Sequence, residues 1–346
     1  MFEQIIQFEN LMMAAHDAQK GKRFKAPVMR YISNIEENLI NTQNHLIWGS
    51  YVPSKHRRFH VYEPKLRVIS APPFHDRVVH HAIHRVIEPV IDKRFIYDSY
   101  ACRAGKGTHA AANRAQRFIR ITRQNHGSVY ALKADISKFF NSINHATLKY
   151  VLSKHIDCKR TVALLEKIID HSDTDTHGVG IPIGNLTSQL FANLYLNELD
   201  QFVKHGLRER FYARYMDDFI IIHHDKAHLQ RIRTEIEDWL LINLQLKTNS
   251  KTQVFPVGPV RGRALDFVGY RIYATHKLMR KCTEKRFRHK VKKLRRMYAA
   301  HRIELSDIKP ILSSYMGCAS HANAYNLINN VLSVPFKRSF NNAEPV

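Results

Sequence analysis

Residues 213–224 read ARYMDDFIIIHH and put two adjacent carboxylates, Asp217 and Asp218, between an aromatic-polar run and three isoleucines. The string predicts a tight turn between buried strands, with the acids displayed at its tip. A second strand, residues 129–134, is read in GSVYALKADISKFFNSI and runs out at Asp135. Carboxylates gathered in this way attract hard divalent cations, which take oxygen ligands. Two such cations held close together can activate an attacking hydroxyl and stabilise the leaving oxygen in phosphoryl transfer. Asp is also an ordinary turn residue, so the pair read alone is equally compatible with a solvated turn.

The elements that must position these acids follow from patterning. Residues 1–45 have helical spacing, with Ile5, Phe8, Leu11 and Met12 on one face and Ile32, Ile35, Leu39 and Ile40 on another. Two helices joined by a basic loop around Gly21 are expected. FHVYEP and LRVISAP, separated at Pro64 and Lys65, predict a two-stranded ribbon, and HDRVVHHAIHRVIEPVIDKRF a helix burying Val78, Val79, Ile83, Val86 and Ile87. Further helices are read in HATLKYVLSKHI, CKRTVALLEKIIDHS, LTSQLFANLYLNELDQFV and residues 228–241, and a strand in LDFVGYRIY. Residues 280–302 hold eleven Lys/Arg and one Glu, with Phe287, Val291, Leu294 and Tyr298 at helical spacing. That pattern predicts a helix with one apolar stripe and a cationic remainder.

Composition points to the partner. The 346-residue chain carries 54 Lys plus Arg against 30 Asp plus Glu, a formal charge of +24. Nucleic acid is the expected polyanion, because every phosphate neutralised releases condensed counterions. No apolar run is long enough to span a membrane, and the first residues lack the order of a signal peptide, so no membrane partner and a cytoplasmic location are expected. Cys102, Cys158, Cys282 and Cys318 are too widely spaced for metal pairing and too few for a disulfide framework. They are read as reduced, mostly structural thiols.

Several motifs now fall into a known order. KLRVISAPPFHDRVVHHAI, FIYDSYACRAGKGTHAA, LKADISKFFNSI, IPIGNLTSQ, YMDD, LQLKTNSKT and DFVGYRI resemble successive segments of bacterial reverse transcriptases, from about Tyr51 to Leu327. The resemblance implies an α+β right-hand polymerase: an N-terminal helical segment (1–50), fingers (51–128), a palm with a small antiparallel sheet (129–275) and a basic helical thumb (276–346). It implies that Asp135, Asp217 and Asp218, with the backbone carbonyl of Ile136, hold two Mg²⁺ ions, and that Lys251 protonates the leaving pyrophosphate. Lys247 lies on the same stretch and competes for that role. Lys65, Arg67, Phe140, Ile183, Gly184, Gln189, Tyr215 and Met216 are the implied nucleotide-binding residues, Phe140 acting against a ribose 2′-hydroxyl. Phe267 and Gly269 resemble a primer grip, and Lys285, Arg288, Lys292 and Arg295 are the expected thumb contacts to nucleic acid.

One departure narrows the family. Many reverse transcriptases have Gln before the glycine of the IPIGNLTSQ segment and Pro after its serine, whereas here Ile183 precedes Gly184 and Gln189 follows Ser188. That form, with SSYMGCASHANAYNL in the tail, resembles the reverse transcriptases of diversity-generating retroelements. Such enzymes copy a template-repeat RNA, held with its structured flanking RNA, into cDNA with errors opposite adenine. The implied partners are that RNA, the primer or cDNA strand, dNTPs and a small oligomeric accessory variability protein, in a bacterial cell, the chain being encoded by the bacterium or by a phage. Priming and integration functions are expected to be supplied elsewhere. A retron-type or group II intron-type reverse transcriptase is the neighbouring alternative, and a catalytically inert RNA-binding scaffold of the same fold is the distant one.

Overall fold

The computed structural model describes residues 1–62, 66–172, 174, 176–260 and 262–338. In chain order the elements are α1 (Phe2–Ile6), α2 (Phe8–Gln19), α3 (Ala26–Ser33), α4 (Ile35–Ile47), β1 (Arg57–Val61), β2 (Arg67–Ala71), α5 (Phe74–Asp92), α6 (Thr108–His126), β3 (Tyr130–Asp135) and α7 (Phe139–Ser142). They continue through α8 (His145–His155), α9 (Lys159–Asp170), α10 (Leu186–Gln201), a π-turn (Phe202–Gly206), β4 (Tyr212–Tyr215), β5 (Asp218–His223) and α11 (Lys226–Leu244). The chain closes with β6 (Gln253–Pro256), β7 (Leu265–Phe267), β8 (Tyr270–Ile272), β9 (Lys277–Met279), α12 (Lys281–Ala299), α13 (Leu305–Ala319) and α14 (Tyr325–Leu332).

Two compact units emerge. The first holds Met1–Gly105, Ala134–Phe219 and Arg231–Thr252; the second holds Lys106–Lys133, Ile220–Gln230 and Gln253–Val346. Among the described residues the strands pair in the orders β1-β2, β4-β5-β3-β6 and β7-β8-β9. In the second unit β3 pairs antiparallel with β6, Ala131 opposite Phe255.

The first unit is organised around α5 and α10. Helix α5 buries Val78, Val79, Ala82, Ile83, Ile87 and Ile91, the spacing of one helical stripe. Helix α10 buries residues all round its circumference, as a helix in the middle of a core must. His80 Nδ1 lies 2.8 Å from the Thr187 hydroxyl, joining the two helices, and burial drives its pKa down to about 4, so the ring stays neutral. Buried Asp76 accepts from the Tyr51 hydroxyl at 2.7 Å and from the Ser54 amide at 2.9 Å, and so tethers the chain leading into β1.

The second unit packs α12 through Phe287 and Val291 onto Val331, with Leu312, Tyr315 and Leu327 around them. A second cluster forms about Met279, Ala319 and Ala324. Glu304 and Asp307 cap α13 reciprocally, which satisfies amides that the first turn would otherwise leave open.

Three expectations need correction. The N-terminal region forms four helices, not two, because Gln7 is extended (ψ 134°) between α1 and α2 and Asn34 leaves helical geometry between α3 and α4. LDFVGYRIY forms two strands, because Val268 and Gly269 both have positive φ (44° and 92°), the twist of a tight hairpin turn. Three of the four thiols are exposed and the other is half-buried, so the cysteines do not serve as core residues. No helix among the described residues is long and apolar enough to cross a membrane.

Candidate active site

Asp135 and Asp217 meet inside the first unit. Strand β3 ends at Asp135, and the next amide, that of Ile136, donates to the Asp217 carbonyl at 3.1 Å. On the opposite edge the Asp135 carbonyl accepts from the Asn249 amide (2.8 Å) and Ser137 N–H donates to the Lys247 carbonyl (2.8 Å). Because the N–H and C=O of one extended residue point to the same side, the Ile136 carbonyl faces the hairpin together with its amide.

Electrostatics report the same proximity. Burial first, then the neighbouring Asp135 carboxylate, push the Asp217 carboxyl above the usual carboxylate range, and Arg67 and Arg214 pull it back. Arg67 is an exposed residue of β2 whose charge nonetheless reaches Asp217. Asp218 opens β5, half-buried, one residue beyond the turn. Tyr215 is half-buried at the end of β4, and the Met216 side chain is buried with its backbone in the left-handed region at φ 55°. For a residue with a Cβ that conformation costs about 1 kcal/mol, so something must hold it.

Among the described residues, no group of three or more His, Cys, Asp or Glu side chains is arranged to hold a metal ion. The oxygen set that does assemble is a carboxylate pair with a backbone carbonyl beside it. This fits Mg²⁺, which usually binds one or two carboxylates, keeps several waters and completes its shell with substrate phosphates. A half-buried pair of like charges is also a standing repulsion that a divalent cation relieves.

The raised Asp217 pKa has a measurable consequence. The folded protein holds that proton to higher pH than the unfolded chain does, so stability falls as pH rises through the interval between the two values. With chelator present, Asp217→Asn is expected to raise Tm by about 2 °C at pH 8 and to lose most of that advantage near pH 4. Thermal unfolding at the two pH values checks this; an equal gain at both would contradict the assignment.

The remaining loops are tied to one another and to β2. Phe140 lies in α7 after Lys138, whose φ is 45°, and its carbonyl accepts from the Ile181 amide at 2.8 Å. Its neighbour Phe139 is 2 % exposed and fills the core, whereas Phe140 is only partly buried. Ile183 passes its carbonyl to the Ser70 amide on β2 at 3.0 Å. Gly184 has φ 127°, and a Cβ there would sit 3.0 Å from Ile69 Cγ2 and 3.1 Å from the Ser70 carbonyl oxygen. Glycine is therefore required by both conformation and space. Gly184 and Gln189, with Lys22, Lys25, Arg57 and Arg77, line a cationic cavity of about 800 Å³.

Lys251 is exposed on a turn in which its amide donates to Asn249 Oδ1 at 2.8 Å. The Asn249 side-chain amide also donates to the Asp135 carboxylate. Asn249 thus orients a candidate metal ligand. Sequence reasoning missed it, although the Asn of the LQLKTNSKT segment stands at a natural turn position. Lys65 lies outside the described residues.

In the second unit, Phe267, read as part of a primer grip, is fully buried, so its ring packs within the unit. The Val268–Gly269 turn is half-buried, with the Gly269 carbonyl accepting from the Arg280 amide at 3.0 Å. Lys285, Arg288 and Lys292 are exposed on α12 as expected. Arg295 is corrected: its guanidinium donates to the Val331 and Val334 carbonyls (2.7 and 2.5 Å), committing it to packing inside the unit.

Comparison with known proteins follows the same lines. The family model described as reverse transcriptase (RNA-dependent DNA polymerase) matches residues 54–272. Protein YkfC of Escherichia coli K12 is 27% identical over 66% of this chain and 70% of its own length. The group II intron-encoded protein LtrA of Lactococcus lactis subsp. cremoris is 28% identical over 45% of this chain, and that match spans only 26% of LtrA. Among solved structures, a Candida tropicalis telomerase in complex with a TWJ fragment of telomeric RNA superposes with a TM-score of 0.53 at 12% identity, covering 84% of this chain and 58% of that one. The likeness identifies the right-hand polymerase fold.

Proposed function

This chain belongs to the reverse transcriptase (RNA-dependent DNA polymerase) family, and from that premise we propose that it is an active enzyme copying a template-repeat RNA into adenine-mutagenised cDNA. The observation that carries activity is the meeting of Asp135 and Asp217 across the Ile136 amide. Asp135, Asp217 and the Ile136 carbonyl hold Mg²⁺, with Asp218 as a further carboxylate. When bound, two such ions supply the charge neutralisation that in-line nucleotidyl transfer needs.

The chain's own groups do the rest. Arg67, with Lys65, grips the triphosphate of the incoming nucleotide through charge-assisted bonds. Phe140 lies under its sugar and excludes a 2′-hydroxyl. Lys251, exposed and mobile at its four-carbon stem, delivers a proton to the departing pyrophosphate. The cavity bordered by Gly184 and Gln189 is lined with cations suited to phosphate. The exposed Lys285, Arg288 and Lys292 track a duplex backbone without reading its sequence.

The mutagenic reading rests on Ile183. A Gln at that position can hydrogen-bond near the nascent pair and a branched alkyl chain cannot. One such bond is worth about 1 kcal/mol, enough to loosen discrimination severalfold. A template RNA with its structured flanks and a small oligomeric accessory protein are the partners this reading requires. The group II intron-type reading is the second, favoured by the similarity to LtrA.

Primer extension on a defined RNA with Mg²⁺, with and without accessory protein, followed by cDNA sequencing, separates them. Errors concentrated opposite adenine, reduced about fivefold by Ile183→Gln, support the mutagenic reading. Accurate cDNA from the parent returns the chain to the intron or retron type. No synthesis in either condition favours the inert RNA-binding scaffold.

A further inference from the structure

We propose that Arg214 is a positioning residue for this site: a buried fork from its ion pair with Asp200 fixes the Met216 carbonyl and, through it, the direction in which Asp217 is presented. The inference rests on the polymerase reading above.

Arg214 and Asp200 are both fully buried, with Nη2 2.6 Å from Oδ2 and Nε 2.7 Å from Oδ1. Two buried charges at that spacing are costly to desolvate unless their remaining donors and acceptors are satisfied. Here they are. The Tyr212 hydroxyl donates to Asp200 Oδ1 at 2.7 Å, and Arg214 Nη1 donates to the Met216 carbonyl at 3.1 Å and to Asn193 Oδ1 at 3.3 Å. Nη2 adds the Ser99 hydroxyl at 3.3 Å and the Asn193 carbonyl at 3.4 Å.

The bond to Met216 is the informative one. Met216 is the left-handed residue immediately before Asp217. A donor on its carbonyl holds that peptide, and with it the turn that leads into Asp217. The guanidinium is suited to this because its donors sit in one rigid plane, so the pairing with Asp200 dictates where the remaining nitrogens point.

Arg214 is itself held from outside the hairpin. Its amide donates to the Asp98 carbonyl and the Tyr100 amide donates to its carbonyl, each at 3.0 Å, in a parallel bridge through Ser99. Asn193 then reaches the same segment, its side-chain amide donating to the Ala101 carbonyl at 2.8 Å. The FIYDSYACR segment, more than 110 residues upstream of Asp217, is thus a clamp on the strand that leads into the acids.

The test compares Arg214→Lys, which keeps the charge opposite Asp200 and loses the fork, with the parent and Asp217→Ala. Two readouts are taken: Mn²⁺ binding to the free protein by electron paramagnetic resonance, and primer extension with Mg²⁺ titrated. For folded Arg214→Lys we expect RNA affinity and dNTP KM within about threefold of parent, kcat lower by about tenfold, and Mn²⁺ dissociation and Mg²⁺ half-saturation constants raised about fivefold. Parental Mn²⁺ affinity and parental kcat together would overturn the role. Should Arg214→Lys lose its circular dichroism signal, Asn193→Ala carries the same measurements, and parental metal affinity there overturns the inference. If the parent makes no DNA, the polymerase reading fails on its own. The Mn²⁺ arm still decides Arg214, since binding lost in Asp217→Ala and weakened in Arg214→Lys supports it.

Discussion

Asp217→Ala is expected to abolish primer extension, by at least about 10³-fold in kcat, while leaving the fold and RNA binding intact. The Asp217 carboxylate is half of the pair that meets across the Ile136 amide, and the Asp135 carboxylate helps to raise its pKa. RNA affinity should persist because it is carried by cations elsewhere, including the exposed Lys285, Arg288 and Lys292. Asp135→Ala should fall to the same level, and the double variant no lower, since the two carboxylates act as one unit. Asn249→Ala should lose far less, because it orients Asp135 and does not replace it. Single-turnover extension and RNA binding on the four variants check the scheme; extension by Asp217→Ala within tenfold of parent would refute the metal assignment.

Phe140→Ala is expected to open the site to ribonucleotides, lowering the preference for dNTP over rNTP by about 10²-fold. Selectivity of this kind comes from a clash, so removing the ring should raise rNTP incorporation more than it lowers dNTP incorporation. The neighbouring residue supplies the control. Phe139 stacks edge-on against Phe140 at 5.5 Å but is a core residue at 2 % exposure. Phe139→Ala should cost about 3–5 kcal/mol of stability with nucleotide preference unchanged. If the selectivity change followed Phe139 instead, or neither, Phe140 would be an ordinary packing residue and the gate would lie elsewhere.

The candidate site was legible in the sequence to an uneven degree. Asp135 and the Asp217–Asp218 pair could be read because each sits at a strand end flagged by a change from apolar to polar residues. Tail helix α12 was equally legible, since Phe287, Val291 and Leu294 repeat at helical spacing and are the residues it buries. The surroundings of Phe267 and Arg295 were not legible because residue type does not say which way a side chain turns: one ring entered the core, and one guanidinium found two carbonyls. Boundaries between short N-terminal helices were missed because the apolar spacing continues across Gln7 and Asn34 while the backbone does not.

By itself, the sequence determined the chemistry: acids at two strand ends, a phosphate-seeking excess of Lys and Arg, a helix-period stripe in the basic tail and a chain of motifs in reverse transcriptase order. Such features are local, and local periodicity and residue type report them. Only the tertiary structure decided that Asp135 lies beside Asp217, that Asn249 rests on Asp135, and that Arg214 holds the turn from a fully buried pair with Asp200. These are contacts between residues far apart along the chain. A buried Arg beside Tyr-Met-Asp-Asp reads, in one dimension, like one more surface cation of a basic protein; its burial and its five donors acquire meaning only when Asp200, Asn193 and Met216 are folded around it.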